Sequence, residues 1–110
     1  MFDNKRYLTR GIASKVPLTI QLLIWQMIDK LRDKRSKVDY LQVFKVKHSD
    51  RHIIIEQSSS EPEFKTTFEF HTASVGTDEA GQVYTVWVID DGEQTLMFFP
   101  EERWKELVFW

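Results

Sequence analysis

The chain has no cysteine. This absence removes disulfide staples, thiolate metal sites and cysteine nucleophiles together, and it fits a reducing compartment. Glycine is scarce too, at four residues in 110, and none stands in a glycine-rich phosphate loop. ATP or dinucleotide binding by a standard motif is therefore disfavoured. Long apolar runs are missing as well: the longest, Leu22 to Trp25 among them, are far short of the roughly 20 residues that cross a bilayer. Met1, Phe2, Asp3 and Asn4 lead into Lys5 and Arg6 with no apolar stretch behind them, so no secretory signal is visible. With no internal repeat or low-complexity tract, the expectation is one soluble cytoplasmic domain over residues 1–110, with no membrane partner.

What is present is a core and an uneven distribution of charge. Hydrophobic residues make up 42% of the chain, with eight Phe and four Trp, enough to fold without a covalent staple. The net charge of -2 hides a contrast, because residues 1–50 carry eleven Lys and Arg against five acids and residues 51–110 carry four against twelve.

Arg6 to Arg10 reads as a short strand ended by Gly11. Pro17 suits the first turn of a helix, since its missing N–H would be unpaired there anyway. Ile20, Leu23, Ile24, Met27, Ile28 and Leu31 then recur at the spacing of one helical face, predicting a long helix over roughly 17–35. Leu18, Leu22 and Trp25 fall on its opposite side, so that stripe needs a cover: the N-terminal strand, the C-terminal Phe109 and Trp110, or another subunit. Five segments of strand character follow: Tyr40 to Lys47, His52 to Gln57, Phe64 to His71, Gln82 to Ile89 and Gln94 to Phe99. Short connections favour an antiparallel meander. Phe64, Phe68 and Phe70 alternate with polar residues and mark a half-exposed strand, whereas Gln82 to Ile89 is apolar on both sides and should lie centrally with both faces covered. Pro100 opens a short C-terminal helix through about Leu107. The expected fold is α+β: an antiparallel sheet of five or six strands with one long helix packed on a face and a short helix at the C-terminus.

In their order and spacing, Met1-Phe2-Asp3, Arg6-Tyr7, Thr9-Arg10-Gly11, Pro17, Gln21, Trp25, Ile28-Asp29, Asp39 to Phe44, Val88 to Gly92 and Thr95-Leu96-Met97 resemble the family called domain of unknown function 960. The resemblance is weakest between about Ser58 and Gln82. It implies a protein of low-GC Gram-positive bacteria or their phages, and it brings no catalytic residues with it.

Few residues suggest chemistry. Asp90-Asp91-Gly92-Glu93 could hold a hard cation, but Asp-Gly between two strands is first a tight-hairpin signal. His48, His52 and His71 match no zinc-protease pattern and read as surface histidines. Ser58 to Ser60 lacks the glycine-flanked elbow of a hydrolase. The expectation is a non-enzymatic protein with no catalytic residue, no metal and no cofactor.

Its function is read as that of a small accessory or regulatory binding protein, with a protein partner or a second copy on Leu18, Leu22, Trp25, Phe109 and Trp110. The alternative is a nucleic-acid-binding module using Lys30, Arg32, Lys34, Arg35 and Lys37, extended by Lys45 and Lys47. A second alternative, a small metal-dependent enzyme, rests on the histidines and the Asp90 turn alone.

Overall fold

The computed structural model describes residues 2–35, 37–49, 51–71 and 82–102. In chain order these form β1 (Lys5–Leu8), α1 (Arg10–Lys15), α2 (Leu18–Lys34), β2 (Leu41–His48), β3 (His52–Ser60), β4 (Glu63–His71), β5 (Gln82–Asp90), β6 (Gln94–Phe98) and a 3-10 turn over Pro100–Glu102. The long helix stands within a residue of its expected bounds, and all five downstream strands are present. The C-terminal helix reduces to the Pro100–Glu102 turn among the described residues; the rest of it, with Phe109 and Trp110, lies outside them.

The strands make one sheet in the order β1-β6-β5-β2-β3-β4. Only β2, β3 and β4 form the expected meander. β5 returns to pair antiparallel with β2 rather than with β4, β6 pairs with β5, and β1 runs parallel to β6. Beside β2, Val86 and Val88 join Phe44 and Val46 in the core and are sealed. β5 thus lies centrally as expected, but only one of its faces is covered: Val83, on the other, is 67% exposed. The parallel β1–β6 pair needs no tight turn, because nearly the whole chain is its connection.

A second departure falls at the N-terminus. β1 ends at Leu8, and residues expected to finish a strand form α1 instead. Thr9 caps that helix, its Oγ1 accepting the Ile12 N–H at 3.3 Å. Gln21 then ties α1 to α2 by donating Nε2 to the Val16 carbonyl at 2.8 Å. Gly11, in α1, leaves room for the Glu102 carboxylate, which a Cβ there would press upon and which accepts through Oε1 from Thr9 Oγ1 and the Phe99 N–H, both at 2.8 Å.

One face of the sheet carries the core. Phe44 stands opposite Val86 and Gln57, and Val46 opposite Tyr84 and Ile55. These apolar residues join the buried stripe of α2, Ile20, Leu23, Ile24, Met27 and Ile28, in a single cluster. Arg6 stitches β1 to the same helix through an ion pair with Asp29, and its guanidinium lies 4.9 Å from the centre of the Trp25 ring.

Two buried carboxylates organise the backbone. Asp90 accepts the Phe2 N–H at 2.7 Å, Asn4 Nδ2 at 3.0 Å and the Gly92 N–H at 2.8 Å, joining the N-terminus to the β5–β6 turn. Asp39 accepts from the Leu41, Ser60 and Glu61 N–H groups and holds the start of β2 to the end of β3. Burial pushes both pKa values up, but these hydrogen bonds to the charged form outweigh it and leave both below the ordinary carboxylate range.

A carboxyl held lower in the folded than in the unfolded state stabilises the fold fully above its unfolded pKa of about 3.9, and the contribution is lost as pH falls through the folded value. Chemical denaturation between pH 7 and pH 3 should show this decline beginning below about pH 4. Asp39→Asn and Asp90→Asn should each cost ~1–3 kcal/mol at pH 7 and make the acid decline shallower. A double variant with the wild-type acid slope would show that these carboxylates do not set it.

Candidate functional site

Two surfaces flank α2. On its outward side Leu18 is 67% and Leu22 52% exposed, one turn apart. Trp25, the next residue of that stripe, is half-buried against the core beneath Arg6. β1 thus covers one member of the stripe and leaves two open. Beside Leu18, a concavity of about 580 Å³ is lined by Ala13 to Pro17, Gln21 and Gln82.

On the other side, a groove of about 530 Å³ runs between the C-terminal half of α2 and strands β3 and β4. Met27, Leu31, Phe64 and Phe68 supply its apolar lining, Gln57 and Thr66 its polar atoms, and Lys30, Lys34 and Arg35 its charge. Arg35 lies with its guanidinium 4.5 Å from the centre of the Phe64 ring, and the Lys30 ammonium stands 5.8 Å from that of Phe68. Each pairing is a cation–π contact at the groove wall.

The structure divides the basic residues expected to act together. Lys30, Lys34 and Arg35 share the groove. Arg32 points elsewhere, to Asp29, Asp33 and the Phe2 carbonyl. Lys37 is exposed beyond the helix end. Lys45 and Lys47 alternate with Phe44 and Val46 and so face away from α2; they do not extend the helical cluster. Phe64 and Phe68, read in the sequence only as strand residues, become groove lining because β3 and β4 bring them beneath the basic helix end.

The histidines separate in the same way. His48, expected at the surface, is only 2% exposed, on the helix side of β2, with its ring edge-on to Tyr84. Among the described residues neither its ring nitrogens nor the Tyr84 hydroxyl has a hydrogen-bond partner, and burial holds the Tyr84 phenol well above its ordinary pKa. His52 and His71 lie on the opposite face of the sheet with Glu69, close enough together to offer three ligand atoms to a metal ion. The sequence signal for this trio was hairpin register: a turn at Glu61-Pro62 sets His52 directly across from His71. Asp90, offered with Asp91 and Glu93 as a cation holder, has its carboxylate engaged by Phe2, Asn4 and Gly92, while Asp91 Oδ1 accepts from the Glu93 and Gln94 N–H groups. That cluster is a hairpin turn, with Gly92 at φ +98.

A six-stranded, mostly antiparallel sheet carrying one long helix makes this an α+β protein. Residues 5–102 match the model of a family described as "Staphylococcal protein of unknown function (DUF960)", and the chain belongs to that family. The same fold occurs in a crystal structure of a protein of unknown function from Enterococcus faecalis, with a TM-score of 0.73 and 20% identity over 91% of each chain. No curated protein matches the chain.

Proposed function

We propose that the protein is a small, non-enzymatic accessory or regulatory protein of the bacterial or phage cytoplasm that docks a protein partner on the outward side of α2. The exposure of Leu18 and Leu22 carries this reading, on a helix whose other stripe is fully used in the core. Two leucines supply only part of the ~800 Å² per partner of a standard interface. The adjoining concavity, with Leu18 at its rim, extends the docking area.

Light scattering across a concentration series distinguishes a second copy from a different partner. A twofold mass that falls to the monomer in Leu22→Asp identifies self-association. A monomer at every concentration directs the search to a different protein, whose affinity for the purified chain should fall at least ~10-fold in the same variant. A partner bound equally well by Leu22→Asp would overturn the assignment of this face.

A second reading is favoured by the groove, where three cations and two phenylalanine rings stand together. Single-stranded nucleic acid is bound by such a combination of phosphate neutralisation and ring stacking. Titration with an oligonucleotide should then give a log–log salt slope of about -2 for three phosphate contacts. Lys34→Glu with Arg35→Glu should abolish binding, and Lys45→Glu with Lys47→Glu, on the other face, should change it little. No binding at low salt would end this reading.

A further inference from the structure

The β3–β4 hairpin carries a third kind of chemistry, on the sheet face turned away from α2. His52 and His71 are direct cross-strand partners, with ring centroids 4.4 Å apart and planes within 11° of parallel. Glu69 lies two residues before His71 and so projects on the same side. Its Oε1 stands 2.8 Å from His52 Nε2 and 3.6 Å from His71 Nε2. We infer that His52, Glu69 and His71 form a binding site for a divalent transition-metal ion of the zinc class.

The donor set selects the ion. Two imidazole nitrogens and one carboxylate oxygen suit zinc and its late-transition neighbours, whereas magnesium and calcium favour oxygen throughout. The spacing agrees with the geometry. Ligand atoms about 2.0–2.2 Å from a tetrahedral ion stand roughly 3.4 Å from one another. The two nitrogen–oxygen separations bracket that value, and all three ligand atoms lie within 4.8 Å of one another; binding requires the two stacked rings to tilt towards each other until both in-plane lone pairs meet the ion.

The carboxylate gives a second reason. One Glu69 oxygen faces both Nε2 atoms, and a divalent ion between them would engage all three groups at once. The side chains are 37%, 59% and 74% exposed for His52, Glu69 and His71, so an ion can enter from solvent and keep an open position for water or a further ligand. The site joins β4, an edge strand of the sheet, to β3 near the end of the hairpin. An ion bound there would fasten that edge, stabilising the folded chain because the unfolded chain has no assembled site.

The test is calorimetric titration of the untagged, chelator-stripped chain with zinc chloride, joined by thermal melts with and without zinc and by visible absorption with cobalt(II). The expected result is saturable 1:1 binding, a higher Tm with zinc, and the intense bands of four-coordinate cobalt. His71→Ala and Glu69→Gln, both at exposed positions, should each weaken zinc binding about tenfold or more and remove the Tm gain. Asp91→Asn, in the turn at β6, should bind as the wild type does. Failure to saturate at 1:1 up to millimolar zinc, or equal affinity in His71→Ala and Glu69→Gln, would overturn the site and leave a hydrogen-bonded surface trio only.

Discussion

The surfaces of this molecule follow from a mismatch in width. Six strands about 4.8 Å apart make a sheet roughly 24 Å across, while a helix with its side chains is about 10–12 Å wide. α2 therefore seals the strands beneath it and cannot seal the margins. At the β4 margin the half-exposed phenylalanines meet the basic end of the helix, and the groove results. At the β1 margin, Arg6 closes the gap over Trp25 and pairs with Asp29, leaving Leu18 and Leu22 without a comparable cover among the described residues. The groove and the exposed leucine stripe are thus the two flanks of one undersized lid.

Within that frame, buried polar groups fix the connections that apolar packing leaves free. Gln57 donates Nε2 to Gln42 Oε1 and Gln42 donates Nε2 to the Asp39 carbonyl, both at 3.0 Å, a chain of bonds across β2 and β3 inside the core. Hydrophobic contact rewards many registers, but these donors and acceptors are satisfied in one. Asp39 and Asp90 do the same for the strand ends, so two acids of a charge-rich chain serve as internal fasteners rather than as surface charge.

Local pattern made much of this legible. The stripe from Ile20 to Leu31 gave the helix, and alternation or two-sided apolar runs gave five strands. Short-range signals also found the Asp90–Glu93 turn. What escaped depended on contacts between distant residues. The return of β5 to β2 and the parallel β1–β6 pair are choices among strands that look equally available in sequence. α1 escaped because its start rests on a single Thr9 cap and its course includes a glycine. His48 was misplaced because alternation along β2, which puts it in register with Phe44 and Val46, was outweighed by the usual exposure of histidine. The basic cluster was counted along the chain, and the sheet then sent Lys45 and Lys47 to its other face.

The parallel pairing of β1 with β6 sets the order in which the molecule can be completed during synthesis. Lys5 to Leu8 leave the ribosome nearly ninety residues before their partners, Gln94 to Met97. At ordinary elongation rates of about 5–20 residues per second, the first strand waits on the order of ten seconds without its neighbour. Throughout that interval the apolar stripe of α2 can only be covered piecemeal, as each successive hairpin emerges. The sheet closes only when β6 has emerged, so the earlier strand is among the last to find its place.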